Sequence, residues 1–208
     1  MNIGGEKRFT EVVDVSRETL ERLRAYEALL KKWNPKINLV SSSTLSEVWT
    51  RHFLDSAQIF ALASDGAHWA DLGSGGGFPG LVIAILAAEK RAEMKITLVE
   101  SDLRKSAFLA NVARELGLTV DLITQRIEAC SPLNADSLSA RALAPLDKLL
   151  DFAGLHLAPG GVAIFQKGEN WRRELELAQQ MWSFDWEAHP SKTGDGAAIL
   201  VINGVKRV

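Results

Sequence analysis

Apolar residues recur at three- and four-residue steps from Leu20 through Leu23, Tyr26 and Leu30 to Trp33, which predicts the buried face of a helix beginning after Ser16. Asn34-Pro35 is expected to end it, because proline disfavours helical geometry in its predecessor and cannot donate to the ladder. Residues 1–15 show no sustained period and are expected to be irregular or frayed. A polar loop through Asn38 and Ser41-Ser42-Ser43 leads to Thr44-Leu45-Ser46-Glu47, which reads as a capping box opening a second helix over 45–62. The two helices predict an N-terminal extension, residues 1–63, packed on a main domain of residues 64–208 as one structural unit.

Beyond residue 68 the pattern alternates between short apolar runs and helical stripes. Residues 69–72 form an apolar strand that breaks into glycines and restarts as a helix over 81–88, with Pro79 suited to the first helical position. Residues 95–99 are rich in β-branched side chains and predict a second strand with Glu100 at its tip. A helix over 102–116 is stopped by Gly117, and 120–124 reads as strand three. A short fourth strand, 137–141, ends at Arg141. The next helix opens at Ala144-Pro145-Leu146, buries Leu149, Leu150, Phe152 and Leu155, and is closed by Pro159-Gly160-Gly161. Strand five over 162–165, a charged helix over 169–181 and an antiparallel pair, 184–189 with 198–202, complete the chain. This alternation predicts an α/β three-layer sandwich whose mostly parallel sheet ends in an antiparallel hairpin.

Composition narrows the class of protein. At 208 residues, 47% hydrophobic and 24% charged, the chain fits one globular domain with a modest extension. Its longest apolar run, Leu81 to Ala88, spans eight residues, far short of the ~20 that a membrane helix needs. The early charged residues Glu6, Lys7, Arg8, Glu11 and Asp14 do not resemble a secretory signal. The single cysteine, Cys130, excludes an internal disulfide and a thiolate metal cluster, so a cytoplasmic location is expected. No pair of its four histidines has metal-ligand spacing, and His52, beside Arg51 and Asp55, reads as a structural hydrogen-bonding residue. A net charge of −2 argues against bulk electrostatic binding of nucleic acid. A local basic face remains open, drawn from Arg104, Lys105, Arg126, Arg141, Lys148, Lys167, Arg172 and Arg173, with plain surface solvation as the alternative.

The candidate chemistry centres on Asp71-Leu72-Gly73-Ser74-Gly75-Gly76-Gly77-Phe78-Pro79-Gly80. Gly75, Gly77 and Gly80 satisfy a dinucleotide fingerprint, whereas Asp71, Gly73, Gly75 and Gly77 satisfy the acidic-led pattern of S-adenosylmethionine-dependent methyltransferases. A tight turn packing helix on sheet without any ligand is the third reading. Glu100, at a strand tip facing the crevice of a doubly wound sheet, is placed to accept from both ribose hydroxyls, or else is a surface acid. In the turn after strand three, Ile127 is placed to pack on an adenine ring and nearby main chain or Glu128 to read its amino group, against the alternative of a plain loop.

The chain resembles the RsmG (GidB) family of bacterial small-subunit ribosomal RNA methyltransferases over nearly its whole length. The resemblance is carried by Lys32-Trp33-Asn34, Ile37-Asn38-Leu39, Arg51-His52-Phe53-Leu54-Asp55-Ser56, the glycine turn, Arg126-Ile127-Glu128, Ser139-Ala140-Arg141-Ala142 and Lys167-Gly168. It implies a class I methyltransferase fold (Rossmann-like) with S-adenosyl-L-methionine as cofactor. The implied activity is methylation of guanine N7 at position 527, in the 530 loop of 16S ribosomal RNA, with the RNA or the small subunit as partner and no membrane or metal. Cofactor contacts are implied at Gly73, Gly75, Phe78, Ile127, Glu128 and Arg141, with Glu100 near the ribose, and the chain is expected to act as a monomer. The third glycine, Gly76, is a departure expected to leave the turn less rigid.

Methyl transfer is an in-line displacement that needs a nucleophile at ~3 Å and aligned. Guanine N7 carries an exposed lone pair and needs neither a dedicated general base nor a covalent intermediate. The sequence agrees in lacking an Asn/Asp-Pro-Pro-aromatic clamp after strand four and a Pro-Cys context at Cys130. Arg141 and Lys167, at strand ends, are expected to position the base by contacting O6, phosphate or the cofactor carboxylate. The rival readings are an NAD-dependent oxidoreductase and a non-catalytic RNA-binding module on the same fold.

Overall fold

The computed structural model describes residues 3–208. Helix α1 (Ile3–Val12) forms where an irregular start was expected. Phe9 is fully buried and meets the Trp49 ring edge-on at 5.6 Å, so tertiary burial overrides the helix-disfavouring Gly4 and Gly5. The part of that expectation concerning residues 1 and 2 lies outside the described residues. Helix α2 (Arg17–Ile37), capped by Ser16, runs through Pro35 instead of stopping before it. The stop comes at Asn38, in left-handed geometry at φ 50°. From inside the last turn, Asn34 Oδ1 accepts the N–H groups of Leu39 and Val40 at 2.8 and 2.9 Å, which guides the chain away.

The expected helix over 45–62 is not continuous. It is a 3₁₀ turn, Leu45–Glu47, a π-helical segment, Val48–Leu54, a short α3 (Asp55–Ala57) and a second 3₁₀ turn, Phe60–Leu62. Thr44 makes no capping bond, and its hydroxyl donates to the Ser41 carbonyl instead. The wider π turns let Val48, Trp49, His52, Phe53 and Leu54 all face inward.

Seven strands follow: β1 (His68–Leu72), β2 (Lys95–Val99), β3 (Asp121–Ile123), β4 (Ala135–Arg141), β5 (Leu157–Lys167), β6 (Trp182–Pro190) and β7 (Ala198–Arg207). Their order is β3-β2-β1-β4-β5-β7-β6, with β1 to β5 parallel and β7 antiparallel to both neighbours. β5 begins directly after the preceding helix, so Pro159-Gly160-Gly161 lie within the strand instead of closing a helix. The connecting helices are α4 (Gly80–Lys90), α5 (Leu103–Glu115), α6 (Leu146–His156) and α7 (Trp171–Ala178), with Pro79 at the N-cap of α4, one residue before its expected place. The period of two sorts strand side chains onto two cores. Trp69, Ile96, Leu98 and Ile164 pack with α4, α5 and the N-terminal helices on one face. Leu72, Val99, Leu138, Ala163 and Phe165 pack with α6 and α7 on the other. Among the described residues no helix is long and apolar enough to cross a membrane.

Candidate functional site

The strand order reverses between β1 and β4, and the loops leaving their carboxyl ends open a crevice of the kind in which doubly wound sheets bind ligands. Asp71 anchors the first of these loops. Its Oδ2 accepts the Gly80 N–H at 3.1 Å and its Oδ1 accepts the Ser139 hydroxyl at 2.7 Å. Complete burial pushes this carboxyl up to about 6, against the hydrogen bonds from Ser139, Ser74 and Gly80 and the Arg141 charge, which hold it down. The start of α4 therefore already holds an anion of the protein's own, and Gly80 is not presented to a pyrophosphate as the dinucleotide reading required. Between these ties Gly73 and Gly75 take φ values of 66° and 55°. A Cβ on Gly73 would stand 2.5 Å from Leu143 Cδ1, whereas one on Gly75 would meet nothing nearer than the Gly73 carbonyl at 3.7 Å. Gly76, expected to loosen the turn, is where α2 grips it: its carbonyl accepts the Tyr26 hydroxyl, and a Cβ there would stand 3.1 Å from the Leu39 carbonyl just past that helix.

Two cavities flank the crevice. The first, about 400 Å³, lies over β1 to β3 and is lined by Gly73, Gly75, Glu100, Ile127, Glu128 and Leu143 among others, with Lys105, Arg126 and Lys148 as its basic lining. Glu100 is buried, accepting the Gly75 N–H on Oε2 and the Asp102 N–H on Oε1, both at 2.8 Å. Each oxygen keeps a lone pair, which matches the two hydroxyl donors of a ribose. Ile127 is buried, and its carbonyl is held by the His156 ring at 3.1 Å. Glu128 is exposed beside Arg126. A bare main-chain floor at Gly75, a diol-matching carboxylate and an apolar wall fit an adenosyl group.

The second cavity, also about 400 Å³, lies over the ends of β4, β5 and β7 and meets the first at Ala142, which carries a left-handed φ of 50°. Arg141 and Lys167 line this cavity and not the first. Arg141 is paired with Asp55 at 3.1 Å, donates to His52 Nδ1 at 3.1 Å and lies 5.1 Å over the Phe78 ring. Phe78 lines neither cavity, because Tyr26, Phe53 and His52 surround it. The implied cofactor contacts at Phe78 and Arg141 are therefore not brought together with the other five. His52 does form hydrogen bonds, as expected, but it does so on the cavity wall. Its other nitrogen lies 2.9 Å from the Thr44 hydroxyl, and since that hydroxyl donates to Ser41, the ring donates there through Nε2 and accepts from Arg141 through Nδ1. Burial and the charges of Arg141 and Arg51 lower its pKa to about 3, so the ring is neutral. The sequence reading assigns no functional role to Asp55, Gln166 or Glu174 of this cavity, although Asp55 stands within the Arg51–Ser56 motif. The first two sit beside residues it did single out, but nothing in the periodicity of α7 marks Glu174.

The family profile described as rRNA small subunit methyltransferase G matches residues 19–195. A relative named ribosomal RNA small subunit methyltransferase G from Ruegeria sp. (strain TM1040) is 56% identical, the match covering 94% of this chain and 96% of the relative. One of the same name from Cereibacter sphaeroides (strain ATCC 17025) is 46% identical over 97% of each chain. Among solved structures, a Corynebacterium glutamicum protein aligns with a TM-score of 0.60 at 12% identity, covering 95% of this chain and 94% of its own. The M. jannaschii TYW2 in complex with AdoMet aligns at 0.55 and 16% identity, over 84% and 80%. These likenesses show a shared fold, and the sequence matches go further: the chain belongs to the rRNA small subunit methyltransferase G family.

Proposed function

We propose that this protein transfers a methyl group from S-adenosylmethionine to N7 of a guanine, position 527 in the 530 loop of 16S ribosomal RNA. Family membership carries the coarser part, methyl transfer to small-subunit ribosomal RNA. The observation supporting the finer part is the pair of cavities meeting at Ala142: one suits a nucleoside, and the other carries two ion pairs in its wall. In this reading Gly73, Gly75, Glu100, Ile127 and Glu128 hold the cofactor, while Arg141 and Lys167 position the base. When bound, the cofactor supplies an electrophilic methyl carbon on a sulfonium.

With that carbon supplied, transfer to N7 would break its bond to sulfur, leave the electron pair on sulfur and pass the positive charge to the purine. Free cations against the ring would oppose that transfer. Arg141 is neutralised by Asp55 at 3.1 Å and Lys167 by Glu174 at 2.7 Å, so both can orient the base without repelling the charge it acquires. No side chain has to remove a proton. The reading includes a monomer acting on cytoplasmic ribosomes. Residues 1–63 supply His52 and Asp55 to the second cavity, which supports reading them with 64–208 as one working unit.

Small ribosomal subunits from cells lacking the protein, incubated with it and labelled cofactor, are expected to take up about one methyl per subunit. Borohydride and aniline should then cleave the RNA at the labelled guanine. Label at another atom or nucleotide would refute the assignment.

A further inference from the structure

Guanine and adenine present N7 alike, so chemistry at that atom does not choose between them. Selection has to come from the groups beyond that atom, from position 6 beside N7 round to the Watson–Crick edge. There guanine offers an acceptor, O6, beside two donors, N1–H and the N2 amino group, whereas adenine offers a donor beside an acceptor. Two carboxylates line the second cavity. Asp55 is saturated: its Oδ1 accepts from Gln58 and Thr193 at 2.9 and 2.7 Å, and its Oδ2 from Arg141 and Gln166 at 3.1 and 2.8 Å. Four donors fill the roughly four lone-pair sites of an ionised carboxylate.

Glu174 differs. Its Oε2 accepts the Leu146 N–H at 2.8 Å and pairs with Lys167 at 2.7 Å, while its Oε1 takes no hydrogen bond among the described residues. Lys167 donates to the Ala144 carbonyl at 3.0 Å and meets Glu174 as an ion pair, which leaves at least one of its three protons free. The two side chains are 9% and 26% exposed, enough to be reached and dry enough for polarity to matter. A free donor therefore stands beside a free acceptor.

We propose that the Lys167–Glu174 pair selects guanine, with the ammonium donating to O6 and the carboxylate accepting from N1–H and the N2 amino group. The inference rests on the methylation reading above and deepens it. Adenine would set its amino group against the ammonium and its N1 lone pair against the carboxylate. N7 stays free for methyl transfer.

The test uses small ribosomal subunits reconstituted with guanosine or inosine at the target position, because inosine keeps O6, N1–H and N7 but lacks the N2 amino group. Wild-type protein is expected to show a kcat/KM at least tenfold lower on inosine, the scale of a lost hydrogen bond to a charged group. Glu174→Ala is expected to slow the guanosine reaction and bring the two rates within threefold, a change that loss of the α6 contact alone would not produce. Uptake of S-adenosylhomocysteine in the other cavity reports that the variant is folded. Where it fails, Glu174→Gln is read the same way, with a ratio at least threefold below wild type expected. A wild-type ratio under threefold, or a folded variant that keeps the wild-type ratio, overturns the proposal. Absence of methyl transfer to guanosine by the wild type would instead strike the functional reading itself.

Discussion

His52 and Asp71 both feel the Arg141 charge, yet acid acts on them in opposite senses. The folded protein holds His52 near 3 against an ordinary 6.5. As pH falls below 6.5 the unfolded chain gains a proton that the fold refuses, so stability drops, by about 2 kcal/mol at pH 5. Asp71 is raised from 3.8 to about 6, so the fold binds its proton first and stability rises as pH falls through that window, by about 1 kcal/mol at pH 5. The two largely offset each other in the wild type. His52→Gln is expected to uncover the Asp71 slope, a protein that gains stability relative to wild type between pH 7 and pH 5. Asp71→Asn should uncover the reverse. Urea unfolding at the two pH values measures both, and parallel curves for all three proteins would show that neither group is held as described.

Elements are legible from sequence where their cause is local, and the glycine turn is such a case. Left-handed φ at Gly73, Gly75 and Gly77 follows from residue type and spacing, so the turn and its place after β1 could be read directly. The π-helical segment over Val48–Leu54 has no such signal, because it arises from burying Trp49, Phe53 and His52 together against the sheet's partners. Glu174 is hidden for the same reason: a polar residue on an amphipathic helix does not announce that it faces a cavity built by β5 and β7. Pro35 misled in the other direction, since Asn34 caps the end from within the helix. The turn itself makes a sharp prediction. Gly73→Ala places a Cβ at φ 66° and 2.5 Å from Leu143, which lines the first cavity. The backbone cost is about 1 kcal/mol, and the displaced leucine moves into ligand space. S-adenosylhomocysteine affinity by calorimetry is expected to fall tenfold or more. Adding Leu143→Ala should restore part of it, whereas no recovery would place the loss in the backbone alone.

At the scale of the whole molecule, the N-terminal helices and the sheet share one core instead of meeting at an interface between two. Leu23, Tyr26, Leu30, Trp49 and Phe53 are at most 1% exposed and belong to the cluster that includes Trp69 of β1 and Ile83 of α4. Burying each contributes roughly 1.5–3 kcal/mol, so together they rival the 5–15 kcal/mol by which a typical domain is stable. The same segment delivers the Tyr26 hydroxyl to Gly76 and the Asp55 carboxylate to Arg141 and Gln166. Removing residues 1–63 would therefore uncover one face of the sheet and leave Arg141, half-buried, without its counter-charge. The 64–208 fragment is expected to show no cooperative thermal transition by circular dichroism and no uptake of S-adenosylhomocysteine, although the glycine turn and Glu100 are intact in it. A sharp transition with retained uptake would mean that the sheet and its first cavity are an autonomous domain, and that the extension serves the second cavity alone.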